Sequence, residues 1–133
     1  MKYLLVLLAL ICGLAQAQVS QIQAFQPCGN TITFTANTSG NIPTPVQAAC
    51  SSTSFTANVQ YVVTNIGAVP VFLSFGTSAN ATANCVVPTS TPTNVIPILQ
   101  YSQVTITTGG ASYFCGITSS STAIVYVTPG TGS

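Results

Sequence analysis

From Thr31 onward, apolar and polar residues alternate with a period of two, the pattern of half-buried strands. In Thr31-Ile32-Thr33-Phe34-Thr35-Ala36, the residues Ile32, Phe34 and Ala36 share one face and three threonines share the other. Phe55, Ala57, Val59, Tyr61 and Val63 repeat the pattern over a longer strand, opposed by Thr56, Asn58, Gln60 and Val62. Val69-Pro70-Val71-Phe72-Leu73-Ser74-Phe75 is apolar on both faces near Phe72, which predicts a central strand. Pro70 there marks the start of the strand or an edge.

Beyond Gly76 the pattern loosens. Thr77 to Asn84 reads as a polar loop and Pro88 to Asn94 as a Ser/Thr/Pro turn region. Short strands are predicted at Cys85–Val87, Val95–Gln100, Gln103–Thr107, Ser112–Ile117 and Ala123–Val127. Turn signals fall at Gly109-Gly110 and Ser119-Ser120-Ser121. Gly40 to Ser54, with Pro43, Pro45 and a Ser/Thr cluster, reads as a long loop held by Cys50. No stretch carries a helical stripe of useful length. Strands of about five residues recurring roughly every ten predict an all-β fold, an antiparallel β-sandwich or jelly roll.

The first residues follow a different rule. Lys2 supplies a positive start, Leu4 to Ile11 an apolar core, and Ala15-Gln16-Ala17 a small-residue cleavage site, together the three parts of an export signal. Cleavage between Ala17 and Gln18 divides the chain into a signal peptide, 1–17, and a single β domain, 18–133. Within that domain, N-terminal strands and the long loop occupy 18–53 and the sandwich core 54–133. The apolar stretch is shorter than the roughly 20 residues a spanning helix needs, so no membrane association is expected after cleavage. Cys12 follows Ile11, where a lipoprotein would carry a small residue.

Loss of the leader leaves Cys28, Cys50, Cys85 and Cys115. An even count in a small exported domain predicts two disulfides. Three pairings are open, and Cys28–Cys50 with Cys85–Cys115 is preferred because each closes a sequence-local segment. The alternative, a zinc site of four cysteines, lacks any C-x₂₋₄-C pair.

Charge changes the picture most. Lys2 is the only Lys or Arg in the 133 residues, and there is no Asp, Glu or His. General acid–base catalysis needs a group that titrates near neutrality, and a Ser or Cys nucleophile needs a neighbouring base. Neither is on offer, so no enzyme and no cofactor are expected. Mg²⁺ and Ca²⁺ sites rest on missing carboxylates, and nucleic-acid binding on missing cations. Stability is expected to be flat between about pH 5 and 9, where no side chain titrates. Zero charge also removes the repulsion that keeps monomers apart. Abundant Ser, Thr, Asn and Gln could keep such a chain soluble alone, but a surface that packs against copies of itself or a partner is the expectation. Two sequons, Asn37-Thr38-Ser39 and Asn80-Ala81-Thr82, match the number such a composition gives by chance. Tyr61, Tyr101, Tyr113 and Tyr126 read as amphipathic strand residues at sheet rims, with a shared carbohydrate-binding face as the alternative.

Three stretches stand out between Val59 and Gly132: Val62 to Ser78 (Val62-Val63-Thr64-Asn65-Ile66-Gly67 through Phe75-Gly76-Thr77-Ser78), Tyr113 to Thr118, and the ending Thr122 to Gly132. In their order and spacing the sequence resembles small all-β phage proteins associated with virions, of the capsid decoration or cement type. The resemblance implies an inert, homo-oligomeric structural protein on a virion surface that contacts copies of itself or a capsid or surface protein; the expectation of an exported, extracellular location comes from the leader alone. The leader and the cysteine pairs lie outside what such a resemblance implies. They favour a second reading, a secreted bacterial surface, matrix or filament-forming protein. A small carbohydrate-binding module is a third.

The leader carries a direct test. Intact-mass analysis of the natural product should show a chain beginning at Gln18, open or cyclised to pyroglutamate; a retained Met1 would remove the argument for export.

Overall fold

The alternating segments fold as strands whose apolar faces meet in one core. The computed structural model describes residues 25–40, 44–45, 59–89, 94–108 and 113–131. Along them run β1 (Gln26–Pro27), β2 (Ile32–Ala36), β3 (Thr44–Pro45), β4 (Val59–Asn65), β5 (Val71–Gly76), α1 (Ser78–Ala83), β6 (Ile96–Ile98), β7 (Ser102–Thr107), β8 (Tyr113–Ile117) and β9 (Ala123–Thr131). The residues of the long segment 46–58 lie outside this set, including the predicted strand positions Phe55 and Ala57.

Two antiparallel sheets face each other. Sheet A runs β1-β9-β4-β7, with β2 continuing the β1 edge along β9; sheet B runs β3-β8-β5-β6. The pairing is nested: β2 with β9, β3 with β8, β4 with β7 and β5 with β6. That is one long hairpin folded on itself. The contacts β4–β9 and β5–β8 then wrap the hairpin into two layers. This connectivity is an eight-stranded jelly roll, with β1 as a short extension. The expected all-β class and sandwich architecture are therefore observed.

Period two places the core where alternation predicts it. Phe34 and Ala36 of β2, Tyr61 and Val63 of β4, Val71 and Leu73 of β5, and Val125 and Val127 of β9 are all buried. The Phe, Val and Leu side chains among them each contribute about 1.5–3 kcal/mol by leaving water. At one end of the core the Phe114 ring meets Tyr61 edge-on, centroids 5.0 Å apart, and Phe75 at 5.9 Å. At the other end the residues are small. Ala36 pairs with Ala123, and Gly116 lies under Phe34, where a Cβ would come 2.7 Å from the ring. The sheets can close there only because β8 carries a hydrogen at that position.

Four local expectations are corrected. Thr44–Pro45, inside the segment Gly40 to Ser54 expected to be a loop, is the strand β3, paired with Phe114 and Tyr113 of β8. Thr77 to Asn84 is not a loop: residues Ser78–Ala83 form α1, capped by Thr77, whose Oγ1 accepts from the Asn80 N–H at 3.3 Å. The helix covers the outer face of sheet B, where Ser74 Oγ donates to the Ala81 carbonyl at 2.7 Å and both residues are buried. Cys85–Val87 is not a strand. Its backbone turns off the helix end, Cys85 N–H donating to Thr82 O and Val86 N–H to Asn84 O. Finally, β9 does not stop at Val127 but runs through Pro129 to Thr131. A proline inside a central strand normally costs a ladder bond. Here the Pro129 carbonyl accepts from Cys28 N–H, so its nitrogen also faces the β1–β2 edge, which is broken between Pro27 and Ile32. The missing donor falls at the break.

Cys85 and Cys115 form a disulfide, Cα atoms 5.8 Å apart, which ties the segment after α1 to the central strand β8. Cys28 is disulfide-bonded as well. Cys50 lies outside the described residues, and with it the expected Cys28–Cys50 pairing.

The bridge and its buried setting set a stability test. Replacing Cys85 and Cys115 together by Ala should lower unfolding stability in denaturant by about 3.5–4 kcal/mol, the effect of closing a loop with a sequence separation of 30. A loss well under 1 kcal/mol would show that the bridge restrains nothing.

Candidate functional site

Strand β4 points Tyr61 and Val63 into the core, and the same register brings in Asn65, which is fully buried. A buried amide must find partners for two N–H groups and its oxygen. Asn65 Nδ2 donates to the carbonyls of Val69 (2.9 Å), Leu99 (3.1 Å) and Ile98 (3.2 Å), and its Oδ1 accepts from Gly67 N–H at 2.8 Å. One side chain thus joins the β4–β5 loop to the β6–β7 turn. Tyr101 N–H adds a bond to Gly67 O, and Ile66 N–H one to Ile124 O at the start of β9. Gly67 packs so closely on Ala123 that a Cβ would lie 2.4 Å from the alanine Cβ. The neighbouring β8–β9 loop is fixed likewise: buried Thr118 donates from Oγ1 to Ser121 O, and from its N–H to Asn37 O.

The jelly-roll path gathers these loops at one end of the sandwich. On this rigid base four large apolar side chains face solvent: Ile66, Leu99, Tyr101 and Ile124. Tyr101 is 73% exposed and adopts a left-handed backbone (φ 52°), a conformation bulky residues rarely take. Among the described residues, no buried side-chain nitrogen or oxygen lacks a hydrogen-bond partner.

The outer face of sheet A offers a second surface, entirely neutral. One cross-strand row runs Thr33, Tyr126, Thr64, Gln103, and the next runs Thr128, Val62, Thr105. Hydroxyls and amides link neighbouring strands, as in Thr31 Oγ1 with Thr128 Oγ1 at 2.8 Å and Thr64 Oγ1 donating to Gln103 Oε1 at 3.2 Å.

The sequence-predicted residues scatter over this frame. Cys85 and Cys115 are brought together in a disulfide, which removes two ligands from the zinc alternative. Ala17, Gln18 and Cys50 lie outside the described residues. The tyrosines share no face: Tyr61 is a core residue, Tyr101 tops the β6–β7 turn, Tyr113 lies on β8 in sheet B, and Tyr126 lies on the outer face of sheet A. Neither a common carbohydrate face nor a uniform rim position describes them. Of the sequons, Asn80 is exposed on α1, while Asn37 turns its Oδ1 back onto Ser39 N–H. The sequence marked Asn65 only as part of the Asn65-Ile66-Gly67 strand break, where β4 does end, and not as a buried hydrogen-bonding centre, although a polar residue in phase with Tyr61 and Val63 was the signal for that.

Burial pushes the Tyr61 hydroxyl above its ordinary value of 10.0, opposed by a hydrogen bond with the Thr108 side chain. In the unfolded chain the phenol ionises above about pH 10, while in the folded chain it stays protonated, so stability falls as pH rises past 10.

No protein-family model, curated protein or solved structure matches this chain.

Asn65 gives the test of this end of the fold. Asn65→Ala should cost about 2–4 kcal/mol, since the Ile98 carbonyl and its neighbours lose their donor in a buried setting. Asn65→Asp should make a nearly pH-independent protein pH-dependent. The carboxylate would face carbonyl oxygens, raising its pKa above the unfolded value, so stability should rise as pH falls toward 4 in denaturant titrations. A flat profile for Asn65→Asp from pH 4 to 9 would mean that the side chain does not reach those carbonyls.

Proposed function

We propose that this chain is a non-enzymatic structural protein of a virion surface or a related extracellular assembly, acting through β-sheet and hydrophobic contacts with copies of itself or a shell protein. The observation that carries the reading is a jelly roll whose whole domain, from Gln18 on, has no ionisable side chain but tyrosine and cysteine. Jelly rolls form capsid shells, lectins and cupins, so fold alone does not choose among these. The chemistry narrows the choice. A cupin-type metal centre wants His or carboxylate ligands that this sequence lacks, and the dispersed tyrosines give a lectin no common platform. An uncharged surface with exposed Leu99, Tyr101 and Ile66 suits permanent packing better than free diffusion.

The Cys85–Cys115 disulfide together with the A-x-A leader supports work outside a reducing compartment, which also suits a secreted surface, matrix or filament protein. The two readings part on where the protein is found. Proteomics of gradient-purified particles from the source culture should recover the chain in fixed ratio to the major shell protein. Recovery only from the cell surface or as free secreted protein would replace the virion reading with the second one.

A further inference from the structure

The sheet edges differ in a way that points to how copies join. An edge strand exposes a row of unpaired N–H and C=O groups, and proteins blunt such rows with charges, prolines, breaks or short strands. Charges are absent here, so only the other devices remain. β3 is two residues long and includes Pro45; β6 is three residues long with Pro97 at its centre. The β1–β2 edge is broken after Pro27, and β2 then leaves sheet A to meet β8 at the Asn37–Ile117 bridge. β7 has none of these features. It runs six residues, Ser102-Gln103-Val104-Thr105-Ile106-Thr107, without proline or break, and among the described residues only β4 pairs with it.

We propose that β7 is the contact between two copies of this chain, paired antiparallel about a two-fold axis normal to sheet A, so that two A sheets become one. The register follows from side-chain phase. Outward residues must meet outward residues, so the axis passes through a residue and not between two. Centring on Val104 would set Ile106 against Ser102 of the second copy. Centring on Thr105 sets Val104 against Ile106 and Gln103 against Thr107, pairs of matched polarity, with Thr105 facing its own copy. The sequence is therefore self-complementary in one register. Like charges directly opposite would destabilise such an isologous pair, and none exists in the strand. The proposal rests on the assembly reading above for its partner, a second copy, but fails separately from it.

The test compares the exported protein with Thr105→Lys and Thr33→Lys. Both positions are exposed on the outer face of sheet A and both variants add one charge, but Thr33 lies on the opposite edge. Matched melting temperatures establish that both fold. Sedimentation equilibrium should show a reversible wild-type dimer, weakened about tenfold or more by Thr105→Lys and by less than about twofold by Thr33→Lys. Amide exchange within 102–107 should slow as wild-type concentration rises. A wild type that stays monomeric at high concentration, equal effects of the two substitutions, or concentration-independent exchange in β7 would each overturn the edge pairing. Oligomers that persist unchanged in Thr105→Lys would overturn it while leaving an assembly through another surface in place.

Discussion

Every polar requirement of this domain has to be met without charge. A typical fold settles helix ends, loop carbonyls and sheet edges partly with carboxylates and ammonium groups, whose hydrogen bonds are the stronger kind. Here neutral groups do all of it. Thr77 caps α1, Ser74 reaches the Ala81 carbonyl beneath that helix, Thr118 holds Ser121, and Asn65 serves three carbonyls and one amide. Neutral bonds contribute about 1 kcal/mol each when made and cost more when buried and broken, so such a network is sensitive to loss of a single member. Disulfide cross-linking complements it, since a bridge acts on the unfolded chain and needs no polar partner.

The same constraint shows which parts of the fold could be read from the sequence. Alternation located β2 and β4 and the inward residues Phe34, Ala36, Tyr61 and Val63, because burial on one face writes itself directly into a period of two; a run apolar on both faces located β5, and short strand segments between turn signals placed β6, β7, β8 and the first half of β9. What alternation could not show were features set by neighbours. Helix α1 is too short to display a helical period, and its existence depends on the Thr77 cap and on Ala81 sealing Ser74. Pro129 reads as a strand terminator, yet it is tolerated because the strand beside it is broken at that point. The nested pairing of β2 with β9 joins residues some ninety positions apart, which no local pattern encodes. The candidate contact surfaces were legible only as composition. The loop end rests on Asn65, whose place in the inward register marked it but did not say what it would bind.

The loop end illustrates how order is concentrated. Gly67 against Ala123, the Asn65 amide and the Tyr101 bond to Gly67 O over-determine the positions of two connections. Left-handed backbone at a tyrosine persists only where the surroundings impose it. Exposing Leu99 and Tyr101 on such a support presents apolar area whose ordering entropy is already spent in folding, which lowers the further cost of docking.

A neutral surface has a further consequence for recognition. Electrostatic complementarity normally steers encounter and rejects wrong partners, and this domain can use neither effect. Discrimination must then come from shape and from directional hydrogen bonds, both of which require fixed geometry. That requirement agrees with where the fixed geometry is found: in the locked loops around Asn65 and in the paired strands of the two sheets. It also explains why proline, and not lysine, guards β3 and β6. In a domain without charged side chains, the pattern of prolines along the sheet margins is the main means left of deciding which edges can pair.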